Sequence, residues 1–276
     1  MIPAAFDYQA PTSVDEAIKL ISQLGDRGKV IAGGHSFIPI MKLRLAQPEV
    51  LVDIGRIGDL RYVRADGDRI AIGALTTHHD VTTNPTIKEG CALLAETAAH
   101  IGDPQVRNRG TIGGSLAHAD PAADYPASIL ALDAEIVAQG PNGRRTIKAT
   151  EFFTGMLSTA LAPDELIVEV RVPRTGQSGV YLKMPNKASH YAVVGVAALP
   201  RNGGVAVGIT GAGAVPVRAT ATEQALGGAR DDASIARAAD LADQGIDFLD
   251  DIHGSADYRR AMVKVYTRRA ITQALA

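Results

Sequence analysis

Apolar positions recur along this chain with two periods, and the switches between them predict its elements. Val14, Ala17, Ile18, Ile21 and Leu24 fall at helical spacing behind Ser13-Val14-Asp15-Glu16. That opening is a capping-box pattern, with the Ser13 hydroxyl taking the Glu16 N–H and the Glu16 carboxylate reaching back. Gly25 supplies the stop. Short apolar runs at 29–32 and 50–53 predict strands, and 37–45, broken by Pro39, a short helical or irregular stretch. A second unit begins near Ile54. It holds a strand at 69–73, a helix at 91–101, a proline-entered helix at 126–132, and a strand, turn and strand across 135–138, 140–143 and 145–148. A strand at 166–172 ends at Pro173.

Residues 174–179, Arg-Thr-Gly-Gln-Ser-Gly, are polar and carry two glycines after a proline, the pattern of a linker. Beyond them come strand-like stretches at 180–184, 192–199 and 205–210, with Asn202-Gly203 as a hairpin turn between the last two. Helical patterns follow at 220–226, 233–249 and 257–275, and the acidic run 247–252 reads as a helix end with a polar face. Strands followed by helices argue for an α+β fold over strict alternation. There is no internal repeat.

Composition narrows the classes. Apolar residues are 46% and charged residues 21% of 276, and the formal net charge is −2. This is a globular composition with no basic field for nucleic acid. No apolar run approaches a membrane span, and the first residues lack a signal-peptide pattern, so a cytoplasmic location is expected. The single cysteine, Cys91, can neither form an internal disulfide nor hold an iron–sulfur cluster alone.

The chemistry concentrates in two glycine motifs, Ala32-Gly33-Gly34-His35-Ser36 and Thr111-Ile112-Gly113-Gly114-Ser115. Paired glycines allow positive φ and close backbone approach, and successive N–H groups in such turns can form an anion-binding nest. Two nests converging on one extended anion would fit a dinucleotide pyrophosphate, which makes FAD the leading ligand; two ordinary tight turns are the plain alternative. Neither motif has Rossmann spacing, and Gly211-Ala212-Gly213 carries Pro216 at the third-glycine position. No Walker lysine follows either motif. Asp120 and Asp124 can accept from ribityl or ribose hydroxyls, or cap a helix. His78-His79-Asp80 lacks the spacing of a metal pair, so no metal site is expected.

The stretches Val30-Ile31-Ala32-Gly33-Gly34-His35-Ser36-Phe37-Ile38-Pro39 and Thr111-Ile112-Gly113-Gly114-Ser115-Leu116-Ala117-His118-Ala119-Asp120-Pro121 resemble the two flavin motifs of the FAD-binding medium subunits of molybdenum hydroxylases. The opening Ile2–Tyr8, the segment Met41-Lys42-Leu43-Arg44-Leu45-Ala46 and the C-terminal part extend the resemblance over the whole chain. Within the family, the aerobic carbon monoxide dehydrogenase branch is the most similar. The resemblance implies a two-subdomain FAD domain of the vanillyl-alcohol-oxidase (PCMH) type at 1–175, divided near 54, and a C-terminal α+β domain at 180–276 with a small antiparallel sheet and helices.

It also implies a cofactor-binding set: Lys29, Val30, Ile31, Ala32, Gly33, Gly34, His35, Ser36, Ile101, Thr111, Gly113, Gly114, Ser115, Ala117, Asp120, Ala123, Asp124, Ile167, Lys183 and Tyr191. Lys183 would place positive charge near the flavin ring, and Tyr191 would lie over one ring face and gate acceptor access. No residue is expected to be catalytic in its own right, because the flavin carries the redox chemistry. The implied partners are a large molybdopterin subunit and a small subunit with [2Fe–2S] clusters, in a dimer of heterotrimers, with any membrane association made through the complex. A self-contained flavoenzyme is the competing reading. It would need its own acid or base at the ring, for which His190, Tyr191 and His253 are the candidates.

Overall fold

A computed structural model describes all 276 residues. Strands β1 (Asp7–Gln9), β2 (Gly28–Ile31) and β3 (Val50–Asp53) form a parallel sheet in the order β1-β3-β2. Helix α1 (Val14–Leu24) buries Ala17, Ile18 and Ile21, which share a core with Val52 of β3. The capping prediction holds with one shift. Ser13 Oγ accepts from the Glu16 N–H at 3.2 Å, but the Glu16 carboxylate takes the Thr12 N–H, at 2.8 Å. Helix α2 (Phe37–Lys42) leaves the first glycine motif with Pro39 in its first turn, where no N–H is missed.

A second, antiparallel sheet combines β4 (Val63–Asp66), β5 (Arg69–Gly73), β6 (Glu135–Gly140), β7 (Gly143–Lys148) and the later strand β10 (Leu166–Pro173), in the order β4-β5-β10-β6-β7. Short helices separate its halves: α3 (His78–Thr83), α4 (Pro85–Gly90), α5 (Ala92–Ala99), α6 (Pro104–Arg107), α7 (Ile112–His118) and α8 (Tyr125–Ala131). Helix α9 (Ala149–Phe152) and the hairpin β8 (Phe153–Gly155) and β9 (Ser158–Thr159) precede β10. Leu75, Val137, Leu166 and Val168 pack against the α1 face, so one small core joins the two sheets.

The third sheet is antiparallel, β11 (Val180–Pro185), β12 (Ala192–Arg201), β13 (Gly204–Thr210) and β14 (Val217–Arg218), followed by α10 (Thr220–Leu226), α11 (Asp232–Ala239) and α12 (Ala256–Leu275). Period-two alternation sorts its side chains. Val194, Val196, Ala198, Val205, Val207 and Ile209 face the three helices, whereas Ala197, Leu199 and Ala206 join the core of the second lobe. On that second face Gly208 lies against the Ala127 carbonyl of α8, with no room for a Cβ. Small side chains therefore let the C-terminal sheet dock closely on α8.

The helical pattern over 233–249 overreaches. Helix α11 stops at Ala239, and Gly245 turns at φ 76°. The chain then leaves helical geometry, because the Leu249 N–H donates to the Ala212 carbonyl at 3.0 Å and Phe248 bridges to Gly213. The acidic run is a loop, not a helix end. Asp251 accepts from the Arg259 guanidinium at 2.7 Å and from the His253 N–H at 2.8 Å.

Candidate functional site

One cleft of about 510 Å³ lies where the parallel sheet, the second lobe and the C-terminal sheet meet. All of the predicted site residues line it except Lys183. The first glycine motif forms one wall. Gly34 adopts φ 79°, a left-handed conformation that strains any residue with a Cβ. The consecutive N–H groups of Gly33, Gly34, His35, Ser36 and Phe37 donate to no carbonyl of the chain. Five in a row, lining a cleft at the entrance to a helix, are free to donate to an anion placed there.

The second motif differs from the predicted nest. Thr111 caps α7, and Gly113 and Gly114 lie inside that helix. Their N–H groups are taken, by the Ala74 carbonyl at 2.9 Å and by Thr111 Oγ1 at 3.1 Å. The glycines are required by packing between the walls. A Cβ on Gly113 would stand 2.6 Å from Ala74 Cβ, and one on Gly33 would overlap the Arg109 carbonyl. The two motifs converge on the cleft, but the consecutive free donors belong to the first; in the second, only the Thr111 N–H has no acceptor in the chain.

The far wall comes from the C-terminal sheet. The Ala192 N–H donates to the Ala122 carbonyl at 3.1 Å, the Gly211 N–H to Pro121 at 2.9 Å, and Thr210 Oγ1 to Ala123 at 2.8 Å. These bonds stitch β12 and β13 to the segment after α7 and hold Tyr191 at the cleft, 39% exposed. Its neighbour His190 sits at φ 60°, a conformation uncommon outside glycine. Burial and the nearby Asp120 carboxylate raise the Tyr191 hydroxyl pKa, so it stays protonated.

Asp124 also lines the cleft, but both of its oxygens are engaged. Oδ1 accepts from the Tyr181 hydroxyl at 2.6 Å, and Oδ2 from Lys183 Nζ at 2.9 Å. Lys183 Nζ also donates to the His100 carbonyl at 2.9 Å. Lys183 thus points away from the cleft and into a buried ion pair, because β11 packs its side chain behind Asp124. Burial raises the Asp124 carboxyl, and the Lys183 ammonium opposes it. Removing one partner of such a pair costs about 3–5 kcal/mol. Asp120 takes the Ala122 N–H at 2.8 Å through Oδ1, which leaves Oδ2 without a protein donor.

Composition and spacing did not single out several lining groups. Leu75, Leu161 and Leu166 add apolar surface, Val106 and Gly110 come from the loop that meets Gly33, and Glu165 is held by Arg145 at 2.6 and 2.7 Å. Leu75 and Leu166 sit on a predicted strand or its flank, whereas Leu161, Val106, Gly110 and the Arg145 pairing had no sequence signal. His78, read as a weak metal candidate, is buried with Nδ1 3.2 Å from the Tyr125 hydroxyl. Burial lowers its pKa to about 4, so the ring is neutral at neutral pH. No cluster of three metal-ligating side chains exists anywhere in the chain.

An open cleft with a row of free N–H donors, a free carboxylate oxygen on Asp120 and apolar walls fits a dinucleotide with a planar ring. Comparison with known families is consistent with this geometry. Residues 4–175 match the FAD binding domain in molybdopterin dehydrogenase, and residues 179–274 match the CO dehydrogenase flavoprotein C-terminal domain. The chain belongs to the FAD-binding medium subunits of the molybdopterin dehydrogenases. The carbon monoxide dehydrogenase medium chain of Hydrogenophaga pseudoflava is 42% identical over 100% of this chain and 99% of its own length. Subunit alpha of the 6-hydroxypseudooxynicotine dehydrogenase complex of Paenarthrobacter nicotinovorans is 39% identical over 100% of this chain and 96% of its own. In solved structures, the carbon monoxide dehydrogenase of Hydrogenophaga pseudoflava superposes with a TM-score of 0.94 at 42% identity, covering 99% of this chain and 98% of that one. Quinoline 2-oxidoreductase from Pseudomonas putida 86 gives 0.93 at 32% identity, covering 100% and 98%. This medium subunit is therefore the flavoprotein component of a molybdenum-containing dehydrogenase, and FAD is its cofactor.

Two outcomes are expected at this site. Gly33→Val should push the first motif off the Arg109 carbonyl, misplace the N–H row and cut flavin content to about a tenth or less, a loss above 1.4 kcal/mol of binding. Absorbance of the purified variant at flavin wavelengths checks this, and wild-type content would contradict it. His78 titrates near 6.5 when unfolded and at about 4 when folded. Between those values the unfolded chain binds a proton that the folded chain refuses, so stability falls as pH drops through the window, by about 3 kcal/mol in full. His78→Asn should flatten the slope of denaturation free energy between pH 6.5 and 4; an unchanged slope would contradict the assignment.

Proposed function

We propose that this medium subunit relays electrons within a molybdenum hydroxylase. A small subunit with [2Fe–2S] clusters supplies them, and a large molybdopterin subunit oxidises the substrate. The observation that carries the reading is the row of free N–H groups from Gly33 to Phe37 on the wall of a cleft. One cysteine, buried, with its thiol pushed up to about 12, cannot hold a cluster. The clusters must therefore lie on another chain.

In the cleft, the residues divide the work. The Gly33–Phe37 amides hold the pyrophosphate, Ser115 and Thr111 close the opposite side, and Asp120 accepts from hydroxyls of the cofactor's ribityl or ribose. Lys29, Val30, Ile31, Ala32, Ile101, Ala117, Ala123 and Ile167 pack along its length. Tyr191 covers the outer end and restricts which acceptor reaches it. FAD held there would supply the redox chemistry that links one-electron donors to an external acceptor.

The proposed reaction of the assembled enzyme is carbon monoxide oxidation, on similarity to the medium chains of that name at 42% and 39% identity. A nitrogen heterocycle is the second reading, favoured by a medium subunit of nicotine 6-hydroxylase at 36%. Such similar identities across unlike substrates fit a chain that does not touch the substrate. Of the three acid–base candidates that a self-contained flavoenzyme would need, His190 and Tyr191 line the cleft, whereas His253 pairs with Asn186 at 2.9 Å and lies outside it. No helix is long and apolar enough to cross a membrane.

Purified from its host through a tag on this chain, the protein should bring down two further subunits with iron–sulfur absorbance, at the mass of a dimer of heterotrimers. A yellow single chain that turns over a small molecule alone would overturn the reading. Tyr191→Ala should change the relative rates with quinone, oxygen and nicotinamide acceptors while flavin content holds. Lost flavin with no change in acceptor preference would contradict the gating role.

A further inference from the structure

The cofactor cleft has a neighbour. A groove of about 1010 Å³ opens between β11, the end of α5 and helix α12. Asp124 lines the cleft and not the groove, whereas Lys183 lines the groove and not the cleft. The 2.9 Å contact between Lys183 Nζ and Asp124 Oδ2 is therefore a hydrogen bond joining two separate spaces. Its side chains are 3% and 5% exposed.

A buried carboxylate and ammonium lose hydration that their attraction only partly returns, and two apolar side chains would seal the wall as well or better. What the charged pair adds is the capacity to exchange a proton. Tyr181 fixes Oδ1 through its hydroxyl, which leaves Oδ2 as the exchanging oxygen. Burial also raises the Asp124 carboxyl above its ordinary range, bringing its protonated form closer in energy.

We infer that Asp124 and Lys183 form a proton relay from the groove into the cofactor cleft, resting on the reading that FAD occupies that cleft. Two-electron reduction of FAD consumes at least one proton, and the relay supplies it. Lys183 passes a proton across the hydrogen bond to Asp124. Asp124 releases that proton to the cleft and returns to the carboxylate. The free Lys183 amine then takes a proton from water in the groove. One proton crosses, and the pair ends in its starting charge state.

The surrounding charges are compatible with this cycle. Asp124 is faced by Tyr181 from β11 and Tyr125 from α8, with Asp120 and Tyr191 at the cleft. Lys183 meets His100 at the end of α5, and Glu96, Asp232, Arg268 and Arg269 stand around the groove.

Arginine separates relay from simple charge, because a guanidinium keeps the positive charge but does not release a proton in proteins. The test uses the purified FAD-loaded complex, reduced without oxygen. A laser-induced pH jump is followed by the absorbance change as the reduced flavin is reprotonated. Lys183→Arg, at wild-type flavin content, should slow this relaxation at least about tenfold. A wild-type rate in that variant would overturn the relay and leave the cofactor placement standing. Failure of the placement would appear separately, as full flavin content in Gly33→Val. If arginine disturbs flavin content, Lys183→Ala with added methylammonium decides: recovery of the rate supports the relay, and no recovery overturns it.

Discussion

The width of the cofactor cleft is set by a backbone contact that admits no side chain. Gly33 meets the carbonyl of Arg109, so the first motif and the second unit touch main chain to main chain, and Gly113 packs as closely on Ala74 within the second unit. That contact holds the N–H groups of residues 33–37 at the cleft with nothing in the protein to accept them. A row of successive free donors along a cleft wall is suited to an anion, the role proposed for it above.

The remaining architecture serves that cleft. The parallel sheet delivers β2 into the first motif, and the antiparallel sheet delivers β5 to Ala74 and Leu75. The C-terminal sheet adds the third wall through small residues on one face and main-chain bonds to 121–123. Each wall comes from a different sheet, so the site exists only when all three are docked. Binding FAD only in the docked form stabilises that form by mass action.

The parts of this site legible in the sequence were those written in local chemistry. The Ser13–Glu16 cap, the Asn202-Gly203 hairpin and the strand leading into Gly33 depend on neighbours in the chain. Thr111 was legible as part of a motif but not as a helix cap, because Gly113 and Gly114 favour a turn on propensity and are helical through tertiary contact. Lys183 was misplaced for the same kind of reason. Nothing local to Tyr181-Leu182-Lys183 shows that β11 carries it behind Asp124. The helix predicted to 249 failed where the apolar period ran past Gly245, and the chain instead closed the end of β13. Resemblance to the family brought the cleft residues together in advance; it did not distinguish glycines that open a nest from glycines that let two backbones touch.

The amides of residues 33–37 are the proposed anion contact on which the rest of the site depends. Hydrogen exchange of the chain with and without FAD measures this most directly, peptide by peptide. The account predicts strong added protection across 33–37 on FAD binding, with little change in the Gly113 and Gly114 amides, whose protein acceptors are already in place. Protection at Gly113 and Gly114 with none across 33–37 would contradict it.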